Sequence, residues 1–233
     1  MSLLEVQDIH SYYGDSYILQ GVSLKVERGS VIAVLGRNGV GKTTLISSIM
    51  GLIPTRQGRI IFNGTDITDL DAFRVARLGI GLVPQGRRLF SSLSTRENMA
   101  IAIRRAGQAS WSIERILEMF PPLKARLQSR AEKLSGGEQQ MLAFGRALVR
   151  NSELLLMDEP TEGLAPIMVD KMGSTIAELR KEGLSMVLVE QNVPFAIRHS
   201  DYVYIMSKGR IVYRSTSGEL EQDDQAKSRY LGV

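Results

Sequence analysis

The sequence predicts an α/β fold in which buried parallel strands alternate with helices. Three observations carry that prediction. Val31-Ile32-Ala33-Val34-Leu35 and Leu154-Leu155-Leu156-Met157 are short, unbroken apolar runs, the pattern of strands covered on both faces. Each run adjoins a stretch of helical periodicity: Leu45, Ile46, Ile49 and Met50 follow the first, and Glu138–Val149 precedes the second. Between them, from about Gly86 to Leu134, apolar positions such as Ile113, Ile116, Leu117 and Phe120 keep a helical period, so a helical segment is inserted into the α/β pattern.

Along the chain, Leu4–Ile9 and Leu19–Val26 read as short strands broken at Gly14 and Gly21. The strand Val31–Leu35 leads through a glycine-rich turn into a helix over Thr43–Gly51, and Arg59–Phe62 reads as a strand between Gly58 and Asn63-Gly64. Beyond the helical stretch, a helix over Ile167–Lys181 precedes a strand over Ser185–Val189. The tail after Lys208 holds a strand at Ile211–Arg214 and a polar, helix-like end. No internal repeat or low-complexity linker interrupts this order.

Composition bounds the function. A chain of 233 residues, 43% apolar and 23% charged, has the balance of an ordinary globular domain with a substantial core. No stretch reaches the roughly 18 apolar residues that span a bilayer. The start, Met1-Ser2-Leu3-Leu4-Glu5, puts an acid where a secretion signal needs a positive end. Membrane association is therefore expected through a partner. The chain has no cysteine, which excludes disulfides and thiolate metal sites. A net charge of +4 is mild; Arg87, Arg88, Arg96, Arg104 and Arg105 are mixed with Glu97 and are not interleaved with aromatics, so no nucleic-acid partner is expected.

Gly36-Arg37-Asn38-Gly39-Val40-Gly41-Lys42-Thr43 fits G-x-x-x-x-G-K-[ST] in full. The glycines let successive backbone N–H groups turn inward on phosphate oxygens, and the helix that follows adds its positive end. Lys42 is placed to reach the β- and γ-phosphates and the Thr43 hydroxyl to ligate Mg²⁺. A chance match in a chain of this length is roughly one in a hundred. The motif alone specifies a nucleoside triphosphate; GTPases, kinases, motor ATPases and recombinases share it.

Two further motifs narrow the class. Leu154–Met157 ends in Asp158, a hard oxygen ligand suited to Mg²⁺, and Glu159 next to it is the candidate to polarise an attacking water. In Leu134-Ser135-Gly136-Gly137-Glu138-Gln139, Ser135 and Glu138 have the spacing of a helix-capping box. The two glycines between them are poor helix formers and leave polarised N–H groups bare, a second anion site. Since the loop at Gly36 already cradles a phosphate, this second site is expected to grip the γ-phosphate of ATP held by another subunit.

With these motifs in order, the sequence resembles the ABC ATPase family over nearly its whole length. The Walker A loop is Gly36–Thr43, Gln85 stands at the Q-loop glutamine, Leu134–Glu138 is the signature, and Asp158-Glu159 is Walker B with the catalytic glutamate. The resemblance implies one domain, 1–233, with a P-loop NTPase (RecA-like) core over 1–85 and 151–233. It also implies an N-terminal antiparallel β region and an inserted α-helical subdomain over about 86–150. ATP contacts are implied for Tyr13, for residues Gly36 to Thr43, for Thr44 and for Gln85, with Thr43, Gln85 and Asp158 around Mg²⁺. Ser135, Gly136, Gly137 and Glu138 are implied to contact ATP across a head-to-tail dimer. Partners implied are integral membrane permease subunits, a second ATPase subunit and an external substrate-binding protein, which places the chain peripherally on the cytoplasmic face of the inner membrane.

The sequence also departs from most of the family. Gln191, in Val189-Glu190-Gln191-Asn192, stands where a histidine usually contacts the γ-phosphate, and it becomes a catalytic candidate beside Glu159. Ala165 replaces a customary aspartate. The two histidines, His10 and His199, lie elsewhere and read as packing or surface residues. These segments, with Val83–Phe90 and the closing Tyr230-Leu231-Gly232, resemble the ATPase subunits of branched-chain amino-acid uptake systems, with urea or amide uptake as the near neighbour. The alternative of a different class, a soluble ABC ATPase acting on DNA or ribosomes, usually brings a long coiled-coil insertion, cysteine-rich zinc sites or a second cassette, none of which this sequence contains.

Overall fold

A computed structural model describes residues 2–103 and 111–232. The first half carries β1 (Ser2–Tyr13), β2 (Ser16–Glu27), β3 (Val31–Leu35), α1 (Lys42–Ile49), β4 (Thr55–Phe62), β5 (Thr65–Asp66), α2 (Ala72–Leu78) and β6 (Ile80–Val83). Next come α3 (Thr95–Ala100), α4 (Ile113–Met119), α5 (Pro121–Ala125) and α6 (Gly136–Leu148). The chain then returns to alternation with β7 (Leu154–Asp158), α7 (Pro166–Lys181), β8 (Ser185–Glu190), α8 (Val193–His199), β9 (Tyr202–Ser207) and β10 (Arg210–Thr216), and closes with α9 (Ser217–Gln222), α10 (Asp224–Ala226) and a π-helical turn (Lys227–Leu231).

Two sheets form. One is antiparallel, with strand order β2-β1-β4-β5; the other has order β10-β9-β3-β8-β7-β6 and is parallel from β9 to β6. The continuous apolar runs follow from burial on both faces. Side chains alternate across a strand, so Leu155 and Met157 of β7 and Met186 and Leu188 of β8 enter one core with Ile116, Phe144 and Ile176. Leu154, Leu156, Val187 and Val189 enter a second core, against α1 and the antiparallel sheet. Each fully buried side chain of this size contributes about 1.5–3 kcal/mol relative to exposure.

The parallel register sets the site. Leu35 pairs with Glu190, Asp158 with Val189, and Val83 with Met157. The segments that begin at Gly36, Gln85, Glu159 and Gln191 therefore leave the sheet at one edge, the carboxyl ends of the strands, where open α/β sheets bind ligands.

Several expected boundaries differ. Gly21 does not end a strand; β2 runs through it at φ 79°, and β1 reaches Tyr13 before the chain turns at Gly14. In β1, Asp8 bulges opposite Gly58 of β4, where a Cβ would meet the Asp8 carbonyl oxygen at 2.3 Å. Glycine here accommodates a bulge rather than a strand end. Helix α6 begins at Gly136 rather than Glu138, and β4 begins at Thr55. Helical structure starts only at Thr95; residues 86–88 all take positive φ, which no helix accommodates. From 86 to 150 the regular structure among the described residues is helical apart from the isolated Ser94–Arg130 bridge. Arg104 and Arg105 lie outside the described residues.

Candidate functional site

The loop between β3 and α1 builds an anion cradle. Gly36 packs so closely that a Cβ would meet the Met206 carbonyl oxygen at 2.6 Å. Gly41, at φ 110°, caps α1 with no side-chain hydrogen bond, so the first amides of the helix stay free to bind an anion. Lys42 is 4% exposed; its ammonium donates to the carbonyl oxygens of Gly36 (2.8 Å) and Arg37 (3.2 Å) and sits 3.0 Å from Glu159 Oε1. The cleft over this loop has a volume of about 430 Å³, and Tyr13, Asn38, Lys42, Thr43, Gln85 and Glu159 are among its walls. Gly39, Gly41 and Thr44 also line it, as do Ser16 and Ile18. Tyr13 presents its ring to solvent at 71% exposure, free to stack on a planar group.

The ends of β7 and β8 supply the polar chemistry. Asp158 is buried, and its carboxylate accepts one hydrogen bond among the described residues, from the Thr43 hydroxyl at 3.3 Å. Burial pushes its pKa from 3.8 up to about 6, and the neighbouring Glu159 charge adds to the rise against the pull of Thr43 and Lys42. Glu159 takes φ 49° and donates its N–H to the Val189 carbonyl oxygen (2.9 Å), so the backbone itself aims its carboxylate at the cradle. Both side-chain amides near it point inward: Gln85 Nε2 and Gln191 Nε2 each donate to Glu159 at 3.2 Å. Gln191 Nε2 also meets Asn38 Oδ1, and Gln85 Nε2 donates to Glu162 at 2.9 Å.

An oxygen-ligating cation fits the pair Thr43–Asp158. A buried carboxylate that makes no salt bridge among the described residues, beside a hydroxyl on the wall of a phosphate-binding cleft, is a donor set suited to Mg²⁺ held together with nucleotide phosphates.

Ser135, Gly136, Gly137 and Glu138 do not line this cleft. They open α6 instead. Ser135 accepts from the Glu138 N–H (3.3 Å) while Glu138 accepts from the Ser135 N–H (2.7 Å), the reciprocal capping box. Ser135 is exposed, and the two glycine Cα positions face Arg87 and Met168, leaving room for nothing larger without displacing those side chains. Arg37 and Val40 also lie away from the cleft walls; the Arg37 guanidinium approaches Gly232, and Val40 packs on the apolar core. His10 stacks on Tyr17, and His199 packs on Phe195 and over Gly173; neither lines the cleft.

Two residues that sequence reasoning passed over are Glu162 and Glu190. Glu190 repeats the signal that exposed Asp158, an acid ending an apolar strand. It is 2% exposed; burial pushes its pKa up, opposed by donors from Thr161, Asn192 and Gln191. Glu162 carries no comparable sequence signal.

A glycine-lined cradle ahead of a helix, a buried lysine, and a carboxylate pair at the adjoining strand ends define an α/β nucleoside-triphosphatase. The family model described as ABC transporter matches residues 19–162, and the chain belongs to that family. It is an ATP-binding subunit whose ATP hydrolysis is coupled to transport. The chain is similar over its full length to known members. It is 38% identical to the high-affinity branched-chain amino acid transport ATP-binding protein BraG of Pseudomonas aeruginosa, covering 99% of this chain and 100% of that one. It is 36% identical to the "Probable branched-chain amino acid transport ATP-binding protein LivF" of Archaeoglobus fulgidus (99% of each). It is 32% identical to the lipopolysaccharide export system ATP-binding protein LptB of Escherichia coli (100% and 98%). Among solved structures, a nucleotide-free ATP-binding cassette from an ABC transporter superposes with TM-score 0.87 at 27% identity, covering 99% and 98% of the two chains. A second cassette, in its ADP conformation, gives 0.83 at 26% identity over the whole of both. No helix among the described residues is long and apolar enough to cross a membrane.

Proposed function

We propose that this chain energises an importer of branched-chain amino acids, working at the cytoplasmic face of the inner membrane with integral permease subunits and an external substrate-binding protein. In this reading residues 86–150 act as a helical subdomain that carries the signature, set into a catalytic core of 1–85 and 151–233. Lys42 and the amides of residues 36–44 bind the triphosphate, Tyr13 stacks on adenine, and Thr43, Gln85 and Asp158 surround Mg²⁺, which screens phosphate charge when bound. Glu159 orients and deprotonates the attacking water; Gln191 and Gln85, which both donate to Glu159, hold that carboxylate and the water in line. Ser135 to Glu138 clasp the γ-phosphate of the ATP held by a second ATPase subunit, which accounts for an exposed, glycine-bare helix start outside the chain's own cleft.

The observation that carries this reading is the convergence of Lys42, Asp158, Glu159, Gln85 and Gln191 at one edge of the parallel sheet. The substrate assignment draws on the full-length similarity to BraG and LivF. The similarity to LptB supports a second reading, export of a lipid-linked saccharide. Purifying the native complex and reconstituting it in vesicles decides between them. Leucine-stimulated ATP hydrolysis with a co-purified binding protein is expected. Recovery of a lipid-exporting assembly, of a urea- or amide-stimulated one, or of ribosomes or DNA in place of membrane subunits overturns the substrate assignment.

A further inference from the structure

The buried carboxylate of Glu190 joins two catalytic turns. Its Oε1 accepts from the Thr161 N–H (3.1 Å) and the Thr161 hydroxyl (2.6 Å). Its Oε2 accepts from the N–H groups of Gln191 (3.0 Å) and Asn192 (3.3 Å). Thr161 lies two residues after Glu159, in the turn that leaves β7; Gln191 and Asn192 open the turn that leaves β8. One side chain thus receives four donors, two from each turn. Only an ionised carboxylate presents acceptors at both ends; an amide in its place turns a donor toward one of the two turns.

We propose that Glu190 is a positioning residue for ATP hydrolysis, which locks the turn carrying Gln191 to the turn carrying Glu159. The bracing explains a buried acid that makes no ion pair among the described residues and does not line the cleft. Gln191 Nε2 donates to Glu159 (3.2 Å) and meets Asn38 Oδ1, both at the tip of a long side chain, so the place of that tip also depends on the backbone from which it springs. Asn192 receives the same support and in turn caps α8 through the Phe195 N–H (3.1 Å), which extends the brace into a helix. Catalytic groups need placement to within a fraction of an ångström, and a loosened support shows first in turnover rather than in substrate binding.

This inference rests on the reading that Glu159 and Gln191 serve hydrolysis in this cleft. Its test is Glu190→Gln in the full chain, assembled with the membrane subunits that purify with it. Turnover is expected to fall about tenfold or more, with the KM for ATP and the ADP affinity held within about threefold. In a Gln191→Ala background the same substitution is expected to cost less than about twofold, because its effect passes through Gln191. Thr161→Val, which removes one of the four donors and keeps the side-chain shape, is expected to lower turnover by about threefold with KM unchanged. It also serves as the test if Glu190→Gln does not fold. Unchanged turnover in Glu190→Gln, a loss confined to KM, or full multiplicative effects in the Gln191→Ala background overturns the proposal. With Thr161→Val alone, unchanged turnover does the same. A wild-type complex without ATP hydrolysis refutes the underlying site assignment instead, and is recognised before any variant is made.

Discussion

Asp158→Asn removes a buried negative charge while keeping an oxygen to accept from Thr43, whose hydroxyl lies 3.3 Å away. The carboxyl is 3% exposed, and burial raises its pKa from 3.8 to about 6. That interval is about two pH units at about 1.4 kcal/mol each, so the ionised group costs the nucleotide-free fold about 3 kcal/mol. The sign follows from the direction of the shift. With the folded pKa raised, the cost is absent below pH 3.8, grows as pH rises, and is complete above about pH 6. Without nucleotide, the asparagine variant is therefore expected to be more stable than the parent by about 3 kcal/mol at pH 8, and by about half of that at pH 5. In a chain of this length this corresponds to roughly 6–12 °C in Tm at the higher pH. Urea unfolding at the two pH values measures it. Adding Mg²⁺ and ATP should reverse the order, because the parent gains ligand-linked stability that the variant largely forfeits. A variant no more stable than the parent at pH 8, or equally stabilised by Mg²⁺ and ATP, refutes the view of Asp158 as a strained, cation-seeking carboxylate.

Further expectations follow from the same geometry. Glu159→Gln should reduce hydrolysis by about 10²–10⁴-fold while ATP affinity holds or rises, since Lys42 loses its 3.0 Å counter-charge; chromatography should then show ATP-trapped dimers, and normal hydrolysis would assign the water to another base. Gln191→His should raise turnover in the assembled complex, because imidazole can carry charge where an amide cannot; steady-state ATPase assays at pH 7 give the answer. Gly173→Ala should destabilise the fold by about 1–3 kcal/mol, because the added Cβ would sit 2.4 Å from His199 Nε2; urea unfolding checks it, with nucleotide affinity as a control that should not move.

The parts legible in the sequence were those written in contiguous residues. The loop 36–43, the pair Asp158-Glu159 and the capping box at Ser135 and Glu138 each act through neighbours in the chain, so spacing alone located them. Strands β3, β7 and β8 are legible because both faces are covered and each carries an apolar run, unbroken in β3 and ending in an acid in β7 and β8. Strand β6 gives no such signal: four residues with Gly81 among them are too short for a periodic pattern, and β6 acquires its identity only by pairing with β7. Strand β9 is not among the sequence-based expectations, although Val203, Tyr204, Ile205 and Met206 form a buried run of suitable length. Contacts between distant segments, such as Gln85 with Glu162 and Glu190 with Thr161, leave no trace in local pattern. They depend on which strands become neighbours, and that order is set by tertiary packing.

The ion pair of Lys42 with Glu159 sets a carboxylate against any phosphate that reaches the same ammonium. On the roles proposed above, a triphosphate brings more negative charge to that competition than a diphosphate does, so the contact that steadies the glutamate would also favour substrate over product.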